Sequence, residues 1–280
     1  MRVWLITGAS RGFGALIAQE ALNAGDAVVA TARDPRTVIE RLGSHPRLLP
    51  VRLDVTDEAQ AHAAADQAVA KFGRLDILVN NAGYGVLGAV EETSAEEVEG
   101  VFRTNVFGLL NVTRAVLPHM RRQQSGHVIN ISSIGGYGGY HGWGVYGATK
   151  FAVEGISEAM HAELKPLGIQ VTVVEPGFFR TDFLDEQSLV KTRTEIADYH
   201  ETVGAMRSFA AQVNHAQPGD PAKLAKAILL LTQSGLPPLR LALGSDTYQR
   251  IKGKHAFVEG ELEAWKTLTL STDFQQNKVA

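Results

Sequence analysis

The sequence predicts an α/β fold, a doubly wound parallel sheet of about seven strands with helices on both faces. Seven short apolar runs rich in valine and isoleucine recur along the chain: Val3–Thr7, Ala27–Thr31, Leu48–Leu53, Leu75–Asn80, His127–Ser132, Ile169–Glu175 and Leu239–Leu243. They lack the period-two alternation of a half-exposed sheet and therefore read as strands covered on both faces. Helix-length stretches separate them. Strand–helix alternation repeated about six times, with right-handed crossovers, builds a parallel sheet. The third observation is a glycine-rich turn directly after the first run, where such sheets bind ligands.

The elements follow in order. An amphipathic helix runs from the glycine-rich turn to about Ala24. Ser94-Ala95-Glu96-Glu97 has the spacing of a capping box and should open another helix. Asp220-Pro221 places a capping acceptor before a proline suited to the first helical position. Phe178 to roughly Gln217 carries no strand pattern, so a helical insertion is expected there over one end of the sheet. A short terminal helix is expected around Glu259–Thr267. With neither linker nor repeat, the reading is one domain over 1–280, its insertion at about 178–217.

Composition narrows the function. The chain has no cysteine, which removes disulfides, zinc-thiolate sites, iron–sulfur clusters and thiol nucleophiles. A formal charge of −3 gives no broad basic face for nucleic acid. The longest apolar runs, such as Ala227–Leu231, are far short of the ~18–20 residues that span a bilayer. Met1-Arg2 leads straight into the first strand, so no signal peptide is expected and the protein reads as cytoplasmic, without a membrane partner. No His-Glu-x-x-His or carboxylate cluster points to a metal.

The first strand ends in Thr7-Gly8-Ala9-Ser10-Arg11-Gly12-Phe13-Gly14. Glycines allow a sharp turn and the close approach of a pyrophosphate, which the free amides and dipole at the helix start then favour. The Gly-x-x-x-Gly-x-Gly spacing and its flanks resemble the short-chain dehydrogenase/reductase family in its non-extended branch, a Rossmann-type fold. Matching motifs span Thr7 to Thr181. That resemblance implies NAD or NADP, and a hydride moved between its nicotinamide and a carbonyl or alcohol. It also implies that Asp54 and Val55 contact the adenine. Asn80 and Asn81-Ala82-Gly83 would lie beside the adenosine ribose and stabilise the sheet. A helix-capping role for Asp54 is the alternative.

The second strand runs into Ala32-Arg33, and Ala32 stands where NAD-selective relatives usually carry an acid. Arg33 and Arg11 could both reach a 2′-phosphate, each charged hydrogen bond contributing about 1.5–3 kcal/mol. The expected cofactor is NADPH (NADP+). Asp34 is the competing feature, since a small backbone shift would bring it to the ribose.

The chemistry is expected at Ser132-Ser133 and, thirteen residues later, Tyr146-Gly147-Ala148-Thr149-Lys150. A four-residue step puts tyrosine and lysine on one helix face, with Cβ atoms ~5–6 Å apart. Carbonyl reduction needs an acid for the oxygen, and a phenol titrates near 10. An ammonium ~4 Å away at an effective dielectric of ~20 would stabilise phenolate by about 4 kcal/mol. Tyr146 is the expected acid/base and Lys150 its tuner. Ser133, or alternatively Ser132, would donate to the substrate oxygen. By resemblance, Lys150 also bonds the nicotinamide ribose, Asn105 holds a water linking lysine to solvent, the Pro176-Gly177-Phe178-Phe179 turn contacts the nicotinamide, and Thr181 bonds its carboxamide.

Aromatic residues between Ser133 and Tyr146, with Tyr84, Phe178, Phe179, Phe183 and Leu184, could wall an apolar substrate pocket. The Glu175-Pro176-Gly177 turn and the segment Leu268–Phe274 resemble 17β-hydroxysteroid dehydrogenase-like and retinol dehydrogenase-like members, which implies bulky hydrophobic carbonyls or alcohols. The expected activity is an NADPH-dependent carbonyl reductase, reversible as an alcohol dehydrogenase. An NAD(H)-dependent alcohol dehydrogenase, a non-catalytic nucleotide sensor and a methyltransferase are the competing readings. Relatives pair through the helices carrying the asparagine and the Tyr–Lys step, so a homodimer or homotetramer is expected.

Overall fold

The computed structural model describes residues 1–274; the last six residues of the expected domain lie outside those described. Seven parallel strands form one sheet in the order β3-β2-β1-β4-β6-β7-β9. They are β1 (Val3–Ile6), β2 (Ala27–Ala32), β3 (Leu48–Arg52), β4 (Ile77–Asn80), β6 (Gly126–Ile131), β7 (Ile169–Pro176) and β9 (Arg240–Leu243). All seven expected runs are strands, within two residues at each end. The inner five are buried nearly throughout, whereas β3 and β9, at the two edges, are partly exposed. An edge strand has a neighbour on one side only, so its faces are incompletely covered.

Helices α3 (Glu58–Phe72), α5 (Leu109–Gln123) and α6 (Gly144–Leu164) pack on one face through Ala65, Val116, Met160 and their neighbours. Helices α1 (Gly12–Asn23), α2 (Arg36–Leu42) and α8 (Pro221–Leu231) cover the other through Ile17, Val38, Leu224 and Ile228. The chain leaves β1 toward β2 and β3, then crosses back to β4. This reversal opens a crevice at the carboxyl ends of β1 and β4, the place where open α/β sheets bind ligands.

The expected helix starts hold. At α4 (Ala95–Phe102) the Glu97 amide donates to Ser94 Oγ at 3.3 Å and the Ser94 amide to Glu97 Oε2 at 2.8 Å, a complete capping box. At α8 the Ala222 amide donates to Asp220 Oδ1 at 2.9 Å. Between α4 and α5 the helix widens into a π-helical turn, Arg103–Gly108. Asn105 sits in it.

Two expectations are corrected. The insertion does contain a strand: β8 (Leu189–Lys191) pairs in parallel with β5 (Gly85–Leu87) as a separate two-stranded sheet. Three residues cannot show a period, so the pattern gives no strand there. The terminal helix is also much longer than expected. Helix α9 spans Ser245–Ala264 and α10 spans Lys266–Leu270. Gly253 and Gly260 weaken the helical pattern without ending it. Helical turns and α7 (Ala205–Val213) alternate with irregular segments over the rest of the insertion. No helix among the described residues is long and apolar enough to cross a membrane.

Candidate active site

One cleft of about 720 Å³ runs along the carboxyl ends of the strands. Its floor at one end is the glycine-rich turn. Gly8 and Gly12 adopt φ of +64° and +53°, a region that side chains avoid. Gly14 is glycine for a different reason: a Cβ there would lie 2.4 Å from Gly8 O and 2.6 Å from Asn81 Nδ2. Asn81 staples the floor by donating to Thr7 O at 2.9 Å and Gly8 O at 3.1 Å. The Asn81 and Ala82 amides both donate to Thr7 Oγ1 at 2.9 Å. Asn80 points inward, donating to Asn130 Oδ1 and Thr113 Oγ1, and so ties β4 to β6 and α5. No side chain caps the start of α1, where Ser10, Gly12 and Phe13 line the cleft. Gly14 and Asn105 lie behind the cleft wall and do not line it.

Farther along, Ala32 and Arg33 line the same cleft, together with Asp54 and Val55. The N-cap of α3 is Asp57, which accepts from the Gln60 amide, so the capping alternative for Asp54 falls away. Asp54 accepts instead from the Thr56 amide and hydroxyl. Asp34, the competitor for the ribose, is engaged bidentately by Arg36, with Nη2 donating to Oδ2 at 2.7 Å. That guanidinium holds the Asp34 carboxyl below its usual range. Arg33 is exposed and makes no side-chain hydrogen bond or ion pair among the described residues. Arg11 departs from expectation. Its guanidinium donates to Gln187 Oε1, to Gln187 O at 2.9 Å and to Ser188 Oγ at 2.9 Å, tying the turn to the segment that leads into β8. The insertion supplies acceptors that the sequence pattern does not show.

The other end of the cleft holds the hydroxyls and the amine. Tyr146 and Lys150 stand one turn apart on α6, both more than nine-tenths buried. Lys150 Nζ donates to Ile131 O at 2.9 Å and lies 5.7 Å from the centroid of the Tyr146 ring. Burial pushes the Lys150 ammonium down to about 8, with Glu154 opposing the fall. Burial also pushes the Tyr146 phenol well above its usual range, and bonding to Ser133 opposes that rise. The sequence expectation was the reverse, a phenol lowered by lysine. The ring is packed among apolar side chains, and the amine gives one of its hydrogen bonds to a carbonyl.

Ser133 and Ser132 part company. Ser133 Oγ accepts from the Gly135 amide at 3.1 Å and faces Tyr146, whereas the buried Ser132 hydroxyl faces Glu154. Asn105 spends its side chain on protein: Oδ1 accepts from the Tyr84 amide at 3.0 Å, and Nδ2 donates to Tyr84 O at 2.9 Å and Thr149 Oγ1 at 3.1 Å. It thereby holds the strand after Gly83 against the helix that carries Tyr146. A Cβ on Gly83 would meet Asn105 Oδ1 at 2.9 Å.

The Pro176–Thr181 turn lines the cleft between the two ends. Phe179, expected as a substrate wall, stacks edge to face on Phe13 at 5.5 Å and packs with the core beneath α1. The Thr181 hydroxyl accepts from the Phe183 amide at 3.3 Å. Sequence reasoning missed Asp246 on α9, whose Oδ2 accepts from the Phe178 amide at 2.8 Å and whose carboxylate fills the space a Gly177 side chain would need. No local motif announces it. Around Tyr146, Leu87, Trp143, Leu189 and Ala210 form an apolar cluster flanked by Tyr140, Phe183, Leu184 and Met206. Trp143 and Phe183 stand 5.7 and 5.6 Å from the tyrosine ring.

Comparison with known proteins agrees with this geometry. Residues 2–191 match the family model described as short chain dehydrogenase. Oxidoreductase BOA17 of Botryotinia fuckeliana is 38% identical over 274 residues, 97% of this chain and 99% of the relative. A 3-ketodihydrosphingosine reductase of Bacteroides thetaiotaomicron is 40% identical over 244 residues, covering 87% and 88% of the two chains. The crystal structure of a short-chain dehydrogenase from Streptomyces avermitilis superposes with a TM-score of 0.90 at 43% identity, covering 98% of this chain and all of that one. Two more distant structures hold cofactors. ElxO with NADP bound has a TM-score of 0.73 at 28% identity, over 89% and 99% of the chains. A 3-ketoacyl-(acyl-carrier-protein) reductase from Brucella melitensis complexed with NADH has a TM-score of 0.72 at 27%, over 86% and 96%. With its sheet order, its glycine-rich crevice and its Ser–Tyr–Lys cluster, this chain is an oxidoreductase of the short-chain dehydrogenase/reductase family.

Proposed function

We propose that this protein is an NADP(H)-dependent carbonyl reductase, reversible as an alcohol dehydrogenase, acting on ketones or aldehydes with a bulky apolar body. The observation that carries the reading is convergence: Ser133, Tyr146 and Lys150 meet at one end of a cleft whose other end offers bare helix amides and Arg33. A dinucleotide fits the residues present, since Gly8, Gly12 and Gly14 keep side chains off its path and α1 starts without a cap. Bound there, a nicotinamide cofactor supplies the hydride. Asp54, Val55, Ala82 and Gly83 would flank its adenosine half, with Arg33 on the 2′-phosphate. Pro176, Gly177, Phe179 and Thr181 would flank its nicotinamide half. Arg11 serves the reading differently from the expectation, as a tie between turn and insertion.

The chain's own groups do the acid–base work. Tyr146 donates its proton to the carbonyl oxygen, Ser133 donates a hydrogen bond to the same oxygen, and Lys150 stabilises the phenolate left behind. A buried phenol stays protonated at neutral pH, the form that reduction consumes. Asn105 keeps the wall around Lys150 in place. Exposed Phe107 and Phe151, on the π-helical turn and on α6, suit the self-pairing expected of these helices.

Two expected results test the reading. Arg33→Ala should weaken NADPH binding by about 10- to 100-fold, the equivalent of one charged hydrogen bond, and leave NADH nearly unchanged. Fluorescence titration with both dinucleotides measures it, and equal losses would refute the phosphate assignment. Phe183→Ala, which opens the cluster beside Tyr146, should change the ratio of kcat/KM between a bulky and a small ketone by about tenfold. Ratios unchanged across a ketone panel would remove Phe183 from the substrate wall.

A further inference from the structure

Helix α9 leaves the body of the molecule half-way along its length. Its first turns are held there. Asp246 accepts from the Phe178 amide, the Arg250 guanidinium lies 4.6 Å from the centroid of the Tyr140 ring, and His255 bonds to the Tyr137 hydroxyl. From His255 to Phe274 every residue is exposed. Val258, Leu262 and Trp265 are among them, at 46, 58 and 63%. A helix this free of tertiary packing is marginal in water, and Gly253 and Gly260 each weaken it by about 1 kcal/mol more.

Its charges are also wrong for a helix standing alone. The cations Arg250, Lys252 and Lys254 precede its middle, and the acids Glu259, Glu261 and Glu263 follow it. That order opposes the helix dipole, which favours acids at the start and bases at the end. Arg250 with Lys254, and Glu259 with Glu263, are like-charged pairs four residues apart, which repel. Of these six charges only Glu263 has an ion pair among the described residues, to Lys266 at 3.1 Å.

A second helix accounts for both features. Tyr248, Ile251, His255, Val258, Leu262 and Trp265 recur at alternating steps of three and four, the spacing of a coiled-coil seam with one polar member. The seam is symmetric about the midpoint between Ala256 and Phe257: His255 mirrors Val258, Ile251 mirrors Leu262, and Tyr248 mirrors Trp265. About the same point Lys254 mirrors Glu259, Lys252 mirrors Glu261 and Arg250 mirrors Glu263, so each of these cations exchanges with an acid. Gly253 mirrors Gly260.

We propose that α9 is an interface with a second copy of this chain, the two helices lying antiparallel about a twofold axis at that midpoint. Each seam residue then meets its mirror residue on the second copy. Lys252 and Glu259, which each follow a seam residue, border one side of the contact; Lys254 and Glu261, which each precede one, border the other. The basic half of each helix lies on the acidic half of the other, beside the opposite helix end, whose dipole favours it. A parallel pair would set like halves side by side, and the acidic half is repelled by an anionic lipid surface. The contact is separate from the one expected at Phe107 and Phe151, and it is independent of the reaction proposed above. With both contacts the assembly is a tetramer, and with α9 alone a dimer.

Sedimentation or light scattering of the full-length chain tests this. Lys252→Glu/Lys254→Glu and Glu259→Lys/Glu261→Lys should each halve the molar mass of the parent assembly, and an equimolar mixture of the two should restore it. Mixing would not repair a misfolded variant. The chain has no cysteine, so disulfide trapping reads the direction of the pair. An oxidised mixture of Ile251→Cys and Leu262→Cys should cross-link between the two variants, and neither should cross-link alone. Masses unchanged in both reversed variants, or cross-links within a single variant, overturn the proposal. So does a monomeric parent, and one that sediments with phosphatidylserine vesicles would assign the helix to a lipid surface instead.

Discussion

Tyr146→Phe should bind NADPH as the parent does and turn over at least ~10²-fold more slowly, within the usual range for loss of a general acid. The substitution removes one oxygen and keeps the ring that packs between Trp143 and Phe183, so the apolar cluster stays filled. What disappears is the hydroxyl that bonds to Ser133, on the ring whose centroid lies 5.7 Å from Lys150 Nζ. Ser133 cannot substitute, because an aliphatic hydroxyl is a far weaker acid than a phenol. Stopped-flow or steady-state turnover, paired with a dinucleotide titration, separates chemistry from binding. Near-parent kcat in this variant would falsify Tyr146 as the proton donor.

The electrostatics behind that expectation differ from those the sequence suggests. A Tyr-x-x-x-Lys step fixes proximity along a helix, and the structure keeps that proximity. It does not fix solvent access, and burial changes the sign of the result for the phenol. Tyr146 and Lys150 are both desolvated, so each is displaced toward its neutral form. Sequence reading therefore found the pair and expected the opposite direction for the phenol. What opposes this displacement for Lys150 is Glu154, one turn further along α6.

The same division runs through the fold. The seven main strands are legible because each is a short apolar run that stands out between helix patterns. The helix starts at Ser94 and Asp220 are legible because capping is a local interaction. The β5–β8 pair is not, since its two short segments gain meaning only from lying side by side. Asp246, Arg11 and Phe179 belong to the same class. Asp246 secures a turn some seventy residues away, Arg11 is drawn to acceptors in the insertion, and Phe179 finds Phe13. Local rules see residue types and spacings; these contacts depend on how the insertion and α9 settle onto the sheet.

Two glycines of the same turn should fail in different ways. A Cβ on Gly14 would stand 2.4 Å from Gly8 O and 2.6 Å from Asn81 Nδ2, so α1 must lift from β1 or Asn81 must release Thr7 and Gly8. Overpacking of this kind costs about 1–3 kcal/mol, and a backbone oxygen is a neighbour that yields little. Gly14→Ala should therefore lower the melting temperature of the ligand-free protein by about 2–10 °C and weaken NADPH as well. At Gly12 nothing lies within 4 Å of the added carbon, and the burden is the φ of +53°, about 1–2 kcal/mol for a residue with a side chain. The open space in front of Gly12 is where the proposed pyrophosphate must come to meet the first amides of α1. Gly12→Ala should thus melt within a few degrees of the parent, by about 2–4 °C per kcal/mol, while losing more than about tenfold in NADPH affinity. Normal NADPH affinity in that variant would move the dinucleotide away from the start of α1, and with it the reason for reading Arg33 as its phosphate partner.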